Sequence, residues 1–218
     1  MRKTPLVSGE IYHIYNRGVD KRDIFADEAD RDRFYLSLQL FNTKDPIGSV
    51  YEQMFEKSHR IIRESQALVE FIAYCLNHNH FHLLIKQNID GGISEFMKRV
   101  SGGYTWYFNN RHDRSGVLFQ GRFKSRHINT NAYLLHVSAY VNLNDRVHQL
   151  GGSTAKLVQS SWDEYRSNPL SKRICTGKDV ILEQFSSSDD YGIFATNALV
   201  GILEKKKEER ELADILID

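Results

Sequence analysis

Hydrophobic and polar positions follow two rhythms along this chain. Glu10 to Asn16 has the period of two: Ile11, His13 and Tyr15 fall on one side, Tyr12 and Ile14 on the other. A strand is predicted there, closed by the turn signal Asn16-Arg17-Gly18. Asp27 to Phe41 has the helical period, with Phe34, Tyr35, Leu38 and Phe41 as its apolar stripe and Asp27, Glu28 and Asp30 in its first turn. Asn42 to Gly48 reads as a loop. Ser49 to Gln66 fits either a helix or a partly ordered insertion. Leu68 to Leu76 is mostly apolar, the pattern of a buried strand, and a tight turn near Asn77 leads into a second strand from His80 to Lys86.

Ile93 to Asn110 is the clearest helix. Ile93, Phe96, Met97, Val100, Tyr104, Tyr107 and Phe108 share one face. The pair Gly102-Gly103 weakens it by roughly 1 kcal/mol per glycine and permits a close backbone approach. Gly116 to Ile128 predicts a further strand. Asn131 to Leu143 predicts a helix with Asn129, Thr130 or Asn131 as N-cap. This order implies an α+β fold, ferredoxin-like (RRM-like), with a largely antiparallel sheet and helices on one side. After Gly151-Gly152 the pattern becomes helical: Ser153 to Arg166, Lys178 to Phe185 and Asp189 to Ile217 predict a C-terminal appendage. The charge-dense end of the last helix reads as solvated.

Composition narrows the classes. With 218 residues, 41% of them hydrophobic, the chain can bury a core, and three prolines argue against a disordered chain. Two distant cysteines, Cys75 and Cys175, suggest no disulfide framework. The first residues lack the apolar stretch of a signal peptide, and no apolar run is long enough for a membrane span. A cytoplasmic protein is expected. The formal net charge of +1 says nothing about nucleic acid, but the local balance does. Between Lys98 and Arg126, seven basic residues stand against Asp113 alone. Such a block attracts polyanions or is a solvated surface.

Two segments carry candidate chemistry. In Asn77–Lys86, NHNHFHLLIK, strand alternation projects His80 and His82 together and sends Phe81, Leu83 and Ile85 to the core. Two imidazoles on a rigid strand are half of a metal site, or else the wet face of a half-buried strand. A turn at Asn77 to Asn79 would point His78 elsewhere. In Tyr140–Asn144, YVNLN, helical spacing puts Tyr140 and Asn144 one turn apart, with His136 a turn earlier. Alone, that pair is as readily packing plus a C-terminal cap.

The combination resembles a known family. The segments YCLNHNHFHLLIK, FNNRHDRSGVLFQGRFKS and AYVNLN, in that order, are similar to the REP-associated tyrosine transposases, a branch of the insertion-sequence transposases of the HUH single-strand type. YHIYNRG resembles their first strand. The likeness spans roughly Gly9 to Leu150 and continues weakly through SSWDEY to about Ala195. It implies a catalytic domain over residues 1–150 and a helical extension over residues 151–218. It also implies a divalent cation, Mg²⁺ or Mn²⁺, on His80 and His82, with Asn144 as third contact and Tyr140 as nucleophile. The implied reaction cuts and rejoins single-stranded DNA, at hairpin-forming repeats, through a 5′-phosphotyrosine. Monomer and homodimer both stay open. Two departures stand out: His78 and Asp145 occupy positions where relatives carry proline. Whether His78, His136 or Asp145 joins the site is left open.

Substrate access adds Arg17, Lys86, Arg122, Lys124 and Arg126 as candidate phosphate contacts, the last three alternating on one predicted strand. Trp106 falls off the apolar stripe of its helix and is the stacking candidate. Tyr133 is a rival nucleophile by position, but Val137 stands where its amide would be needed. A competing reading is a domesticated nucleic-acid-binding protein with a vestigial metal site. A replication-type nickase is a third, and the chain has no nucleotide-binding loop motif to support it.

Overall fold

The computed structural model describes residues 5–51, 65–148, 155–166 and 173–215, with side chains up to residue 208. The main elements run β1 (Ile11–Arg17), α1 (Glu28–Leu40), β2 (Val69–Asn77), β3 (His80–Gln87), α2 (Gly92–Arg111), β4 (Lys124–His127), α3 (Asn131–Asn142) and α4 (Asn144–Val147). They continue with β5 (Gln159–Ser160), α5 (Trp162–Tyr165), α6 (Asp179–Leu182) and α7 (Ser188–Ile215). Most of the segment Ser49 to Gln66 lies outside the described residues.

The five strands order as β4-β1-β3-β2-β5, and every neighbouring pair is antiparallel. The first six main elements thus make the βαββαβ unit of a ferredoxin-like sheet, as the α+β reading expects. Alternation sorts the side chains. Tyr12, Ile14, Phe71, Tyr74, Phe81, Leu83 and Ile85 enter one core with α1 and α2. Ile72, Ala73, Cys75 and Leu84 enter a second core on the opposite face with α3 and α7.

Helices on one side therefore describe α1 and α2 only; the second face is covered as well. The reason is local. β2 and β3 are apolar on both faces, so both must be buried. A bulge between Phe71 and Ala73 aims Ile72 and Ala73 at the second core together.

Capping fixes where the helices begin. Asp27 accepts from the Asp30 amide at 3.0 Å and opens α1. Thr130, among its neighbours, opens α3 by accepting from the Tyr133 amide at 3.2 Å. α2 runs unbroken through its glycine pair. A Cβ on Gly103 would sit 3.0 Å from the Phe41 ring, the close approach that the glycine permits.

The strand predicted over Gly116 to Ile128 pairs only at Lys124–His127. Upstream, Leu118 and Phe119 are both buried while Val117 is exposed, which is not strand alternation, and Gly116 and Gly121 have φ of +84° and +69°. One bridge, Gly18 to Phe119, ties this irregular segment down.

The expected boundary near residue 150 falls outside the described residues. Beyond it, β5 joins the same sheet through Cys75↔Ser160 and Leu76↔Gln159, where a helix over Ser153 to Arg166 is expected from sequence. α7 packs on α3, with Tyr191, Ala195 and Leu199 in the second core. No helix among the described residues is long and apolar enough to cross a membrane.

Candidate active site

The second face of the sheet builds a cleft of about 540 Å³. β3 supplies His80 and His82 to its wall, and β1 supplies Tyr15 and Arg17, because Tyr15 pairs with His82 and Arg17 with His80 across the ladder. α3 lies over this face and brings Tyr140. The Tyr140 ring meets the His82 ring edge-on, with centroids 5.4 Å apart. The His80 and His82 rings are 5.2 Å apart and nearly perpendicular.

Asn144 follows α3 at the start of α4 and is fully buried. Its Oδ1 lies 3.0 Å from His80 Nε2. Its Nδ2 is buried without a hydrogen-bond partner, and the Asn144 side chain acts to lower the pKa of the Tyr140 phenol. Burial of Tyr140 acts the other way and is larger, so the phenol's pKa is raised overall. The neighbouring asparagine of the same motif has another task. Asn142 donates to Tyr191 Oη at 2.8 Å and accepts from Ser161 Oγ at 2.5 Å, tying α3 to α7 and to the chain after β5.

Each imidazole is oriented from behind. His80 Nδ1 lies 2.6 Å from Asn79 Oδ1, which fixes the ring with Nε2 forward. His82 Nδ1 lies 2.8 Å from His13 Nε2. Asn77, fully buried, donates from one nitrogen both to Asn144 Oδ1 at 2.8 Å and to His80 Nε2 at 2.9 Å. Burial is the largest cause at all three histidines and disfavours their charged forms, although the Asn144 side chain opposes it at His80. His13 is lowered to about 4 by burial and by Arg126, His82 lies well below its ordinary value, and His80 is lowered.

Neutral imidazoles with lone pairs forward, beside an amide oxygen, are a donor set that suits a hard or borderline divalent cation. Two acceptors 3.0 Å apart, His80 Nε2 and Asn144 Oδ1, are held by the Asn77 amide where a cation would bind both. No group of three or more His, Cys, Asp or Glu gathers for a metal among the described residues.

The other sequence candidates divide. Arg17 and Lys124 line the cleft, and Arg17 Nε donates to Gln120 Oε1. Arg126 lies close enough to His13 to lower its pKa. Arg122 lines a different groove, because it precedes the short β4 rather than alternating along it. Lys86 shares the histidine face, but it stands four residues down β3, roughly 13 Å away, and pairs with Glu70 at 3.5 Å. His78 sits in the hairpin turn with Nε2 3.7 Å from Asp23, away from the cleft. His136 is exposed and does not line the cleft. Asp145 lies against Cys75.

Sequence reasoning missed four contributors. His13 and Asn77 act from behind the site. His148 lines the cleft, with its ring 4.7 Å from that of His80. Lys206 comes from α7, donates to Val147 O at 3.4 Å and adds positive field at both cleft histidines. Only the strand alternation of His13 with Tyr15 hinted at any of them.

Residues 7–144, well over half of the chain, match the family described as "Transposase IS200 like". The chain belongs to the IS200-like transposase family. This transposase's histidine strand and tyrosine helix both fall inside the matched span. No curated protein matches the chain. Among solved structures, a REP-associated tyrosine transposase bound to a REP hairpin is similar at a TM-score of 0.47 and 13% identity, over 86% of this chain and 94% of that one.

Proposed function

We propose that this transposase cleaves and rejoins single-stranded DNA by transesterification at Tyr140, at hairpin-forming repeats. The observation that carries the reading is the convergence of Tyr140, from α3, with His80, His82 and Asn144 in one cleft rimmed by Arg17 and Lys124. The hairpin preference rests on the resemblance of the three sequence segments.

The chemistry follows from these groups. Tyr140 Oη attacks phosphorus, the bond from phosphorus to the 3′ oxygen breaks, and the DNA 5′ end stays on the tyrosine. The departing strand takes up a proton and leaves as a free 3′-OH. A second 3′-OH then attacks the phosphotyrosine, re-forms a phosphodiester and releases Tyr140. One ester is exchanged for another at each step, so no nucleotide triphosphate is consumed.

A free phenol has a pKa of about 10, and burial raises that of Tyr140 further. The deprotonated form is favoured by the Asn144 side chain. Arg17 and Lys124 neutralise the incoming phosphate and hold it in line. His80, His82 and Asn144 would hold Mg²⁺ or Mn²⁺, which when bound supplies Lewis-acid polarisation of a non-bridging phosphate oxygen.

The test is a hairpin-bearing oligonucleotide incubated with the protein and Mn²⁺. A protein–DNA adduct that survives denaturation is expected from the wild type and none from Tyr140→Phe, which should still bind the strand. An adduct from Tyr140→Phe overturns the assignment. Binding that ignores chelators, with no cleavage of any strand, favours instead a nucleic-acid-binding protein with a vestigial metal site.

A further inference from the structure

A second groove, of about 1180 Å³, lies between α2 and residues 117–123. It is more than twice the volume of the catalytic cleft, and nothing in the chemistry above uses it. The two meet at Asn16, which lines both. Asn16 Nδ2 donates to Gly121 O at 3.1 Å, so this junction is fixed. One step along the chain crosses it: Gln120 faces the cleft and Gly121 the groove.

We propose that this groove is a binding track for single-stranded DNA flanking the cleaved phosphate, with Trp106 as a base-stacking platform. The inference rests on the reading of the neighbouring cleft as the cleavage site, and four observations support it.

The first is an aromatic surface that the fold leaves unused. Trp106 is 69% exposed, matched among the large rings of the described residues only by Tyr51 at 65%, and it lines the groove together with Val117, also 69% exposed. A flat π-face of this kind stacks on any base.

The second is charge. Among the described residues, the charged groups lining the groove are Lys98 and Arg122, both basic. Lys98 has only an exposed contact to Glu95 at 3.4 Å, and Arg122 has no carboxylate partner among the described residues. Lys124 and Arg17 carry the same sign into the catalytic cleft. A continuous basic line beside an aromatic wall fits a polyanion with stackable bases better than it fits a peptide.

The third is the helix itself. Groove-lining positions recur on α2 from Ser94 to Trp106, one face over roughly 18 Å, enough for a few nucleotides. The fourth is Gly102 on that face, where an added Cβ would meet nothing within 4 Å. The protein's own packing does not require this glycine, whereas its neighbour Gly103 is held against Phe41.

The experiment measures binding of an oligothymidylate strand of about 20 nucleotides to the full chain. Affinity is read for every variant from the anisotropy of a labelled strand, and in a Trp162→Phe background tryptophan fluorescence reports Trp106 alone. Quenching on titration is expected. Trp106→Ala and Gly102→Leu, the second filling an open space without disturbing the core, should each weaken binding about tenfold, and Trp106→Phe should restore most of it. Val200→Ser, an exposed substitution on α7, is the control and should bind as the wild type does. Melting temperatures no lower than that of the wild type separate these effects from misfolding.

The proposal is overturned if both groove variants bind the strand as tightly as the control. It is equally overturned if the chain is a dimer that Trp106→Ala dissociates, which would make the groove a contact between copies. The covalent-adduct assay on the wild type keeps the two readings apart. Adduct formation with groove variants of wild-type affinity removes the track and leaves the cleft chemistry standing. Trp106-dependent binding with no adduct on any DNA keeps the track and removes the chemistry.

Discussion

His13 Nε2 lies 2.8 Å from His82 Nδ1, with the two rings stacked at 5.0 Å. For His82 to offer a lone pair from Nε2, its Nδ1 must carry the proton and donate it to His13. His13→Ala removes that acceptor and frees the ring to turn. Mn²⁺ affinity measured by calorimetry should fall roughly 10- to 100-fold, with Tyr140 untouched. Equal affinity in the variant would show that His82 is held by its other neighbours.

Asn77 gives its two amide hydrogens to His80 and Asn144 inside the core. Asn77→Ala leaves both acceptors facing each other without a donor. Stability should drop by about 1–3 kcal/mol, read from the urea midpoint. Asn77→Asp should be as damaging without metal but recover with Mn²⁺, because a carboxylate between two acceptors becomes favourable once a cation joins them. A variant that Mn²⁺ leaves unchanged would count against a cation at this place.

The glycine pair of α2 divides by its surroundings. Gly102→Ala gains helix propensity at no steric cost and should stabilise by about 1 kcal/mol. Gly103→Ala places its Cβ 3.0 Å from Phe41 Cε2 and 3.1 Å from Cζ. Its gain should be cancelled or reversed by crowding. Thermal melts of the two variants decide the point, and equal shifts would refute it.

Acid should loosen the start of α1 late. Hydrogen bonding to Arg111 holds the Asp27 carboxyl at about 2, below its ordinary 3.8. A lowered folded-state pKa adds stability above the unfolded value, and that contribution is lost as pH falls from 3.8 through 2. Asp27 is half exposed, so the share is below about 1 kcal/mol. Asp27→Asn keeps the N-cap and deletes the ion pair. It should cost a little at pH 7 and nothing near pH 2. A penalty independent of pH would assign the effect to capping instead.

Much of the site can be read from the chain because local periodicity carries it. Alternation alone places His80 and His82 together and Phe81 behind them, and helical spacing places Tyr140 near Asn144. Long-range partners lack any such signal. His13 reaches His82 only through the β1–β3 register, 69 residues away in sequence. Lys206 reaches Val147 from a helix whose mixed charges read as solvent-facing. Asn77 looks like a turn former, because its spacing does not reveal that the turn begins one residue later. Arg122 looks like the start of a strand, because Gly121 breaks the alternation through a backbone angle that composition does not encode.

α3 is gripped on two sides. The sheet lies beneath it, and Tyr191 of α7 bonds to Ser138 and Asn142 above it. In the proposed reaction, a strand joined covalently to Tyr140 would pull directly on this helix whenever the DNA is stretched or twisted. In that reaction α7 and the chain after β5 would act as an anchor plate, spreading the strain of a tethered strand into the body of the molecule so that the tyrosine stays registered until the partner end arrives.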